Sequence, residues 1–461
     1  MAYMSGAGTR RVGLVFFPAF DWAISDTHPE REERLLYTRD QIFEEGLLDD
    51  PNILEYNPRL ATETEVERAH VILPSPRRVA TASHFVAAGG AIVAGEAVVR
   101  GECDTAFALV RPPGHHAMRV VHGDRGFCII NNEAVMIERL RRMPGGPRRF
   151  VVFDTDAHHA DGTQDIYYND RDVLHVSIHQ DGRTLYPGTG FPEEAGGPGA
   201  FGYTLNVPVP PHTGDEGLLY VFDELVKPVI AEFAPDLVIN AAGQDNHYSD
   251  PLTNMLVTAG GYAELNHRLR PDVVVLEGGY SIEGALPYVN VGILMALAGR
   301  DFSAVREPDF DAGRLEQPPG VMARIAEMVA KVRLIWENRD GIDKERLFGK
   351  GPFYQRQRGV YYDTEQIQEG QVEKIRLCDR CSGWRALVSE GVHSGGRATT
   401  AFIVITPHDA CDECDGEAAD AFARAARTKT LDKTPFRELG SGLAVDFVVH
   451  QDLRADKVTQ K

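Results

Sequence analysis

The feature that most restricts the fold is a series of short apolar runs: VGLVFF (12–17), TAFALV (105–110), RFVVFDTD (149–156), VLHVSI (173–178), DLVINAAG (236–243) and DVVVLEGG (272–279). They lack an alternation of apolar and polar residues. A strand reads this way when both its faces are buried, as in a parallel sheet covered by helices above and below. Helical stretches lie between the runs. NNEAVMIERLRR (131–142) has a polar start and a basic end, and GDEGLLYVFDELVKPVIAEF (214–233) is apolar at helical spacing. Strands alternating with helices predict an α/β fold with right-handed crossovers.

The residues that follow these runs carry the chemistry. Run 149–154 leads into Asp156 and His158, and run 236–241 into Asp245. Run 272–276 leads into Glu277-Gly278-Gly279-Tyr280, and run 105–110 into RPPGHHA (111–117). Open parallel sheets bind ligands at the carboxyl ends of their strands. Four strand ends are therefore expected to face one crevice.

Asp156 and His158, two apart, share a side if the extended geometry persists. With Asp245 they make an Asp–His–Asp set. Three protein ligands with a free fourth position is the arrangement of a catalytic zinc. Such a metal polarises a carbonyl and brings the pKa of bound water toward about 7. His115 and His116 are candidates for general base and general acid, with Asp154 and Asp161 to orient them. Tyr280, after two glycines, can aim its hydroxyl at a developing oxyanion. Each motif alone has a plain explanation: a His pair without chemistry, an acidic loop, a tight turn. Their shared placement at strand ends, in this order, outweighs it.

Composition bounds the remaining choices. The chain has 461 residues, 43% hydrophobic and 25% charged, enough for one large α/β unit and something smaller. It holds no run of 18 apolar residues, so no transmembrane helix is expected. The start, MAYMSGAGTRRVGLVFF, lacks the long apolar stretch of a secretory signal. A net charge of −20 speaks against sequence-independent DNA binding. Four of the six cysteines form two CxxC pairs, Cys378/Cys381 and Cys411/Cys414. That pattern predicts a structural zinc of the ribbon type and a reduced, cytoplasmic setting rather than a disulfide framework. The acidic flank DACDECDGEAAD (409–420) argues against nucleic-acid binding there. Residues 301–320 read as a linker, 321–338 as an amphipathic helix, and the chain from about 352 as β-rich. The expected division is a catalytic unit over 1–340 and a four-cysteine unit over 341–461.

The order RPPGHHA, GFCIINNEA (126–134), DTDAHHADG (154–162), HVSIHQD (175–181), YPGTG (186–190), NVPVPP (206–211), AAGQD (241–245), EGGY (277–280) resembles the histone deacetylase superfamily, which includes acetylpolyamine amidohydrolases. The resemblance covers residues 12–300. It implies an arginase-like three-layer fold with an eight-stranded parallel sheet. It implies a catalytic zinc on Asp156, His158 and Asp245, with His115 and His116 as paired catalytic histidines supported by Asp154 and Asp161. Tyr280 then polarises the scissile carbonyl, and Phe127 and Tyr186 flank the substrate channel, with Leu252 and Gly278 beside it. A potassium ion is implied on Asp154 and Ser177 and on backbone carbonyls at Asp156, His158 and Ile178. The implied substrate is an acylated amine: acetyl-lysine in a protein, an acetylpolyamine or a small amide. No membrane partner is expected, and a homo-oligomer is compatible with the sequence.

Departures from the family pattern bear on substrate choice. Gln244 precedes Asp245 and Asn246-His247-Tyr248 follow it, a polar set expected at the rim or in a structural role. Polyamine-selective members can carry a glutamate where Leu252 follows Asp250-Pro251 here. An acidic group is then sought in HPEREERLLYTRDQIFEEG (28–46), whose plainer reading is a solvated charged face. Two other functions compete. An arginase-like ureohydrolase needs a second metal, and Asp245-Asn246-His247 is not the DxD that would supply it. A non-catalytic acyl-amine binding module predicts a lost ligand or a lost Tyr280, and all are present.

Overall fold

A computed structural model describes residues 10–429, 443–455 and 458–460. Eight strands form one sheet: β1 (Val12–Phe17), β2 (Ile53–Tyr56), β3 (Thr105–Val110), β4 (Phe150–Asp154), β5 (Val173–Gln180), β6 (Thr204–Val209), β7 (Leu237–Ala242) and β8 (Val273–Leu276). Their order is β2-β1-β3-β8-β7-β4-β5-β6, and every neighbouring pair is parallel. The apolar runs supply six of these strands. The other two, β2 and β6, are the edges. There Pro208 is tolerated because an edge strand needs no full hydrogen-bond ladder, Glu55 is exposed, and the buried Asn206 donates to Gln164 Oε1 at 2.7 Å.

Alternate side chains enter opposite layers. Phe107 and Leu109 join one core, with Val151, Phe153, Val274 and Leu276. Ala106, Ala108 and Val110 join the other, with Phe150, Val152, Val273 and Val275. This is the three-layer arrangement that unpatterned strands demand. Helix Ala82–Val99 has the length and apolarity of a membrane span, yet 72% of it is buried inside the protein. It packs on β3 and on helix Asn132–Leu140, whose first turn is capped by Asn131. The helical run 215–233 contains a π-helical turn, Phe222–Val226, just ahead of Pro228, which has no N–H to give.

A second sheet follows helix Val321–Glu337: β9 (Phe353–Tyr362), β10 (Ile367–Arg376), β11 (Arg385–Val392), β12 (Ala398–Thr406), β13 (Phe447–Asp452) and β14 (Thr459–Gln460), in that order. All pairs are antiparallel except β12 with β13. The proposed division at residue 340 falls between the helix and this sheet; residues 430–442 of the second unit lie outside the described residues. Helix Asp412–Thr428 covers one face, around Trp384, Phe402 and Val404. On the other face Leu387, Ile403 and Ile405 pack against Val71, Leu73 and Val120 of the first unit. Polar ties reinforce this seam: Arg119 donates to Gln451 Oε1 at 2.9 Å, and Tyr362 Oη donates to the Val120 carbonyl at 3.1 Å.

Candidate functional site

The carboxyl ends of β3, β4, β7 and β8 converge as expected. After β4 the chain is held by its own carboxylates. Asp156 N–H donates to Asp154 Oδ1 at 3.0 Å, and His158 N–H donates to Asp156 Oδ1 at 2.8 Å. From the end of β7, Asp245 Oδ1 accepts from Ala157 N–H at 2.7 Å. His158 Nδ1 then lies 2.8 Å from Asp245 Oδ2 and 3.1 Å from Asp156 Oδ1. One ligand atom from each of Asp156, His158 and Asp245 lies within 4.8 Å of the others.

The electrostatics of this trio suit a cation. Both carboxylates are fully buried. Burial and the charge of Asp156 push Asp245 up to about 7. Asp156 is held low, because His115 and His158 outweigh its burial. Burial works against a charged His158, yet Asp245 and Asp156 hold it up at about 10. Two carboxylates forced together in a dry site need a positive charge between them. Gly278 completes the cradle: its N–H donates to Asp156 Oδ2 at 2.7 Å, and a Cβ there would collide with Asp156 Oδ2 and Asp245 Oδ2. The donor set of two carboxylates and one imidazole fits zinc.

His115 and His116 lie beside this trio, their rings tilted by 48° with centroids 4.1 Å apart. His115 Nδ1 is 3.2 Å from Asp154 Oδ2, and His116 Nδ1 is 2.9 Å from Asp161 Oδ1. The two rings are driven apart electrically. Burial pulls His115 down, but Asp156 and Asp154 outweigh it and hold the ring well above the usual value. Burial, helped by His115, pushes His116 down to about 3. Glu277 fixes the backbone of the pair: its Oε2 accepts from Gly114 N–H at 2.7 Å and His115 N–H at 2.9 Å. Arg125 clamps Asp161 with a 2.8 Å bond from Nη1.

A cavity of about 250 Å³ opens over these groups. His115, His116, Asp156 and His158 face into it, with Tyr280; Phe127, Leu185, Tyr186 and Leu252 form apolar walls. The structure brings together every sequence-expected catalytic and channel residue except Gly278. That glycine lies behind the Asp156 and Asp245 carboxylates rather than on the channel wall, because its amide is needed there. The residues of the implied potassium site are also neighbours: β4 and β5 pair Asp154 with Ser177.

Several residues escaped sequence reasoning. Arg34 is fully buried and donates from Nε to the Gly279 carbonyl at 2.8 Å; it also donates to the Glu277 carbonyl. Glu30 bridges Arg34 at 2.7 Å and Arg111 at 2.6 Å, with no exposure. Segment 28–46 is thus not simply a solvated face. Its Glu30 is spent on two guanidiniums and is not an acidic rim. Asp250 Oδ2 accepts from Tyr280 N–H at 2.7 Å, anchoring the tyrosine's backbone. Gln244, Asn246 and His247 are buried rather than at the rim: Gln244 bonds Asn290, Asn246 bonds the Thr155 carbonyl, and His247 bonds Glu307. Asp363, from the second sheet, also lines the cavity.

Comparison with known proteins agrees with this geometry. Residues 73–290 match the histone deacetylase domain. A probable deacetylase of Archaeoglobus fulgidus is 46% identical over 312 residues, covering 62% of this chain and 85% of the relative. The chain belongs to the histone deacetylase family. Another relative, an acetylpolyamine amidohydrolase of Burkholderia pseudomallei, is 39% identical over 196 residues, 41% of this chain and 56% of that protein. Among solved structures, the HDA15 HD domain superposes with a TM-score of 0.61 at 27% identity, covering 71% of this chain and 97% of that one.

The histone deacetylase domain match ends before the four cysteines, which the fold nevertheless gathers. One Sγ from each of Cys378, Cys381, Cys411 and Cys414 lies within 4.8 Å of the rest. Cys378 Sγ accepts from Arg380 N–H and Cys381 Sγ from Gly383 N–H, both at 3.4 Å. Burial opposes ionisation of Cys378, but the amides of Arg380 and Cys381 bring it down to about 7. Cys411 stands just before helix Asp412–Thr428 and Cys414 in its first turn, while burial pushes the Cys381 and Cys414 thiols up. Four sulfurs at this spacing fit a structural zinc.

Proposed function

We propose that this protein is a zinc-dependent deacetylase that hydrolyses the amide of an acylated amine, with acetyl as the acyl group. The observation that carries the reading is the convergence, over one cavity, of the Asp156–His158–Asp245 trio, the oriented His115/His116 pair and Tyr280. Asp156, His158 and Asp245 would hold the zinc. When bound there, zinc supplies Lewis acidity toward a carbonyl and acidifies water.

The chain's own groups do the rest. Phe127 and Tyr186 sandwich an aliphatic tether and exclude water from the amide. His116, kept neutral by burial, accepts a proton at Nε2, while Asp161 holds its Nδ1–H. His115, kept protonated by Asp154 and Asp156, stabilises the charge that develops and returns a proton to the departing amine. Tyr280 donates a hydrogen bond from its hydroxyl to the developing oxyanion; burial and its nearby carboxylates hold that proton firmly on the tyrosine. A potassium ion at Asp154 and Ser177, and a structural zinc on the four cysteines, belong to the same reading.

The named relatives, a probable deacetylase and an acetylpolyamine amidohydrolase, support the reaction class. The test is turnover by the zinc-loaded protein on an acetyl-lysine peptide, an acetylated polyamine and a neutral acetanilide, with Tyr280→Phe as the blank. Zinc-dependent release of acetate that the blank lacks is the expected result. Absence of turnover on all three, with zinc bound, would contradict it.

A further inference from the structure

The second sheet reaches the active site. Between β9 and β10 the chain turns through Asp363–Gln366, and this turn abuts the segment that carries Arg125 and Phe127. Asp363 Oδ1 accepts from Gly126 N–H at 2.9 Å, and Glu365 Oε2 accepts from Asp124 N–H at 2.8 Å. A side chain at Gly123 would collide with Glu365, so the contact is close. His122 bonds Ser389 Oγ at 2.7 Å in β11. Residues 120–126 are therefore fastened to the second sheet along their length. Arg125 and Phe127, one the clamp on Asp161 and the other a channel wall, are positioned from there.

Among the described residues, Asp363 is also the sole carboxylate on the cavity that the inner chemistry does not use. The other one, Asp156, belongs to the metal trio. Asp363 is half-buried, as are the wall residues Phe127 and Leu252, whereas the inner groups His115, His116 and Asp156 are buried. Among the described residues no ion pair involves Asp363, Glu365 or Asp124. The nearby cations do not cancel this charge. Arg125 is paired with Asp161, and burial pushes His28 toward its neutral form. An uncompensated carboxylate beyond an apolar sleeve favours a substrate that carries a positive charge beyond its aliphatic tether.

We propose that the β9–β10 turn is a working wall of the active-site channel, and that Asp363 selects acylated amines bearing a second, protonated amine. This rests on the deacetylase reading and goes beyond it by naming a specificity residue from outside the histone deacetylase domain match.

The test uses the full-length, zinc-loaded protein and two amides of equal length: N-acetyl-1,4-diaminobutane, which ends in an ammonium, and N-pentylacetamide, which ends in a methyl. The quantity is the ratio of their kcat/KM values. The wild type is expected to prefer the ammonium. Asp363→Asn keeps an acceptor for Gly126 N–H but removes the charge, and should cut the preference about fivefold or more, the scale of a half-exposed ion pair. Asp363→Glu should retain it. A ratio indifferent to charge in the wild type, or unchanged in D363N, overturns the proposal. If neither amide is hydrolysed, the deacetylase reading fails separately. Calorimetric binding of the same two amides to the wild type and D363N then decides: loss of the ammonium preference in D363N upholds Asp363, and equal binding overturns it.

Discussion

Arg34 stands over the ring of Tyr280, its guanidinium carbon 4.9 Å from the ring centroid, while its Nε holds the Gly279 carbonyl. A residue near the N-terminus thereby sets the pose of a tyrosine at the end of β8. Arg34→Lys keeps the charge but loses the fork that spans Glu30 and two carbonyls. Turnover should fall by about tenfold and unfolding free energy by about 2 kcal/mol, the scale for losing charge-assisted hydrogen bonds. Steady-state kinetics and urea unfolding measure both; a variant that is stable and fully active would refute the role.

Tyr280→Phe removes one hydroxyl and little packing. The expected loss in kcat is about a hundredfold or more, with KM almost unchanged, because the hydroxyl acts on charge that develops in the transition state. Near wild-type turnover would remove Tyr280 from the mechanism.

Gly278→Ala drives a methyl into Asp156 and Asp245. Zinc affinity should fall at least tenfold, about the cost of disturbing groups that orient metal ligands. Chelator competition reads this without any substrate. Unchanged affinity would mean the trio is not the metal centre.

Cys378→Ser should cost the protein about one zinc per chain and lower its melting temperature, while the Asp156–His158–Asp245 site keeps its metal. Metal analysis beside a thermal melt separates the two sites. Unaltered metal content and stability would exclude a four-cysteine zinc.

His70 supplies a pH prediction. It is fully buried and links two segments: Nδ1 lies 2.7 Å from the Met118 carbonyl, and Nε2 accepts from Asn131 N–H at 2.9 Å. The bond from Asn131 requires the neutral ring, because Nε2 must accept there, and burial lowers the pKa to about 4 from an ordinary 6.5. Between those values the unfolded chain binds the proton and the folded chain does not. Stability should therefore rise with pH across that window, by up to about 3 kcal/mol from this group. His70→Gln should flatten the slope of unfolding free energy against pH by up to one proton. An unchanged slope would refute the assignment.

Much of the site was legible because its residues lie within a few positions of strand ends. The spacing of Asp156 and His158, the His115/His116 pair and the EGGY turn after β8 each follow a run whose burial the composition betrays. The edge strands β2 and β6 were harder to see, because an edge tolerates Glu55, Asn206 and Pro208 and so loses the apolar signature. Arg34 was hidden by its surroundings: among so many charges, nothing local says that Glu30 and Arg34 are buried while Glu32 and Glu33 between them are exposed.

The sequence by itself determined the sheet's central strands, the chemistry at their ends and the four-cysteine cluster, since each depends on residues close along the chain. Only the tertiary structure decided which buried charges pair, that Gly278 backs the metal ligands, and that Asp363 reaches the channel from a second sheet. Those contacts join segments far apart in the chain. They are selected by mutual burial and charge balance, which no local pattern of residues records.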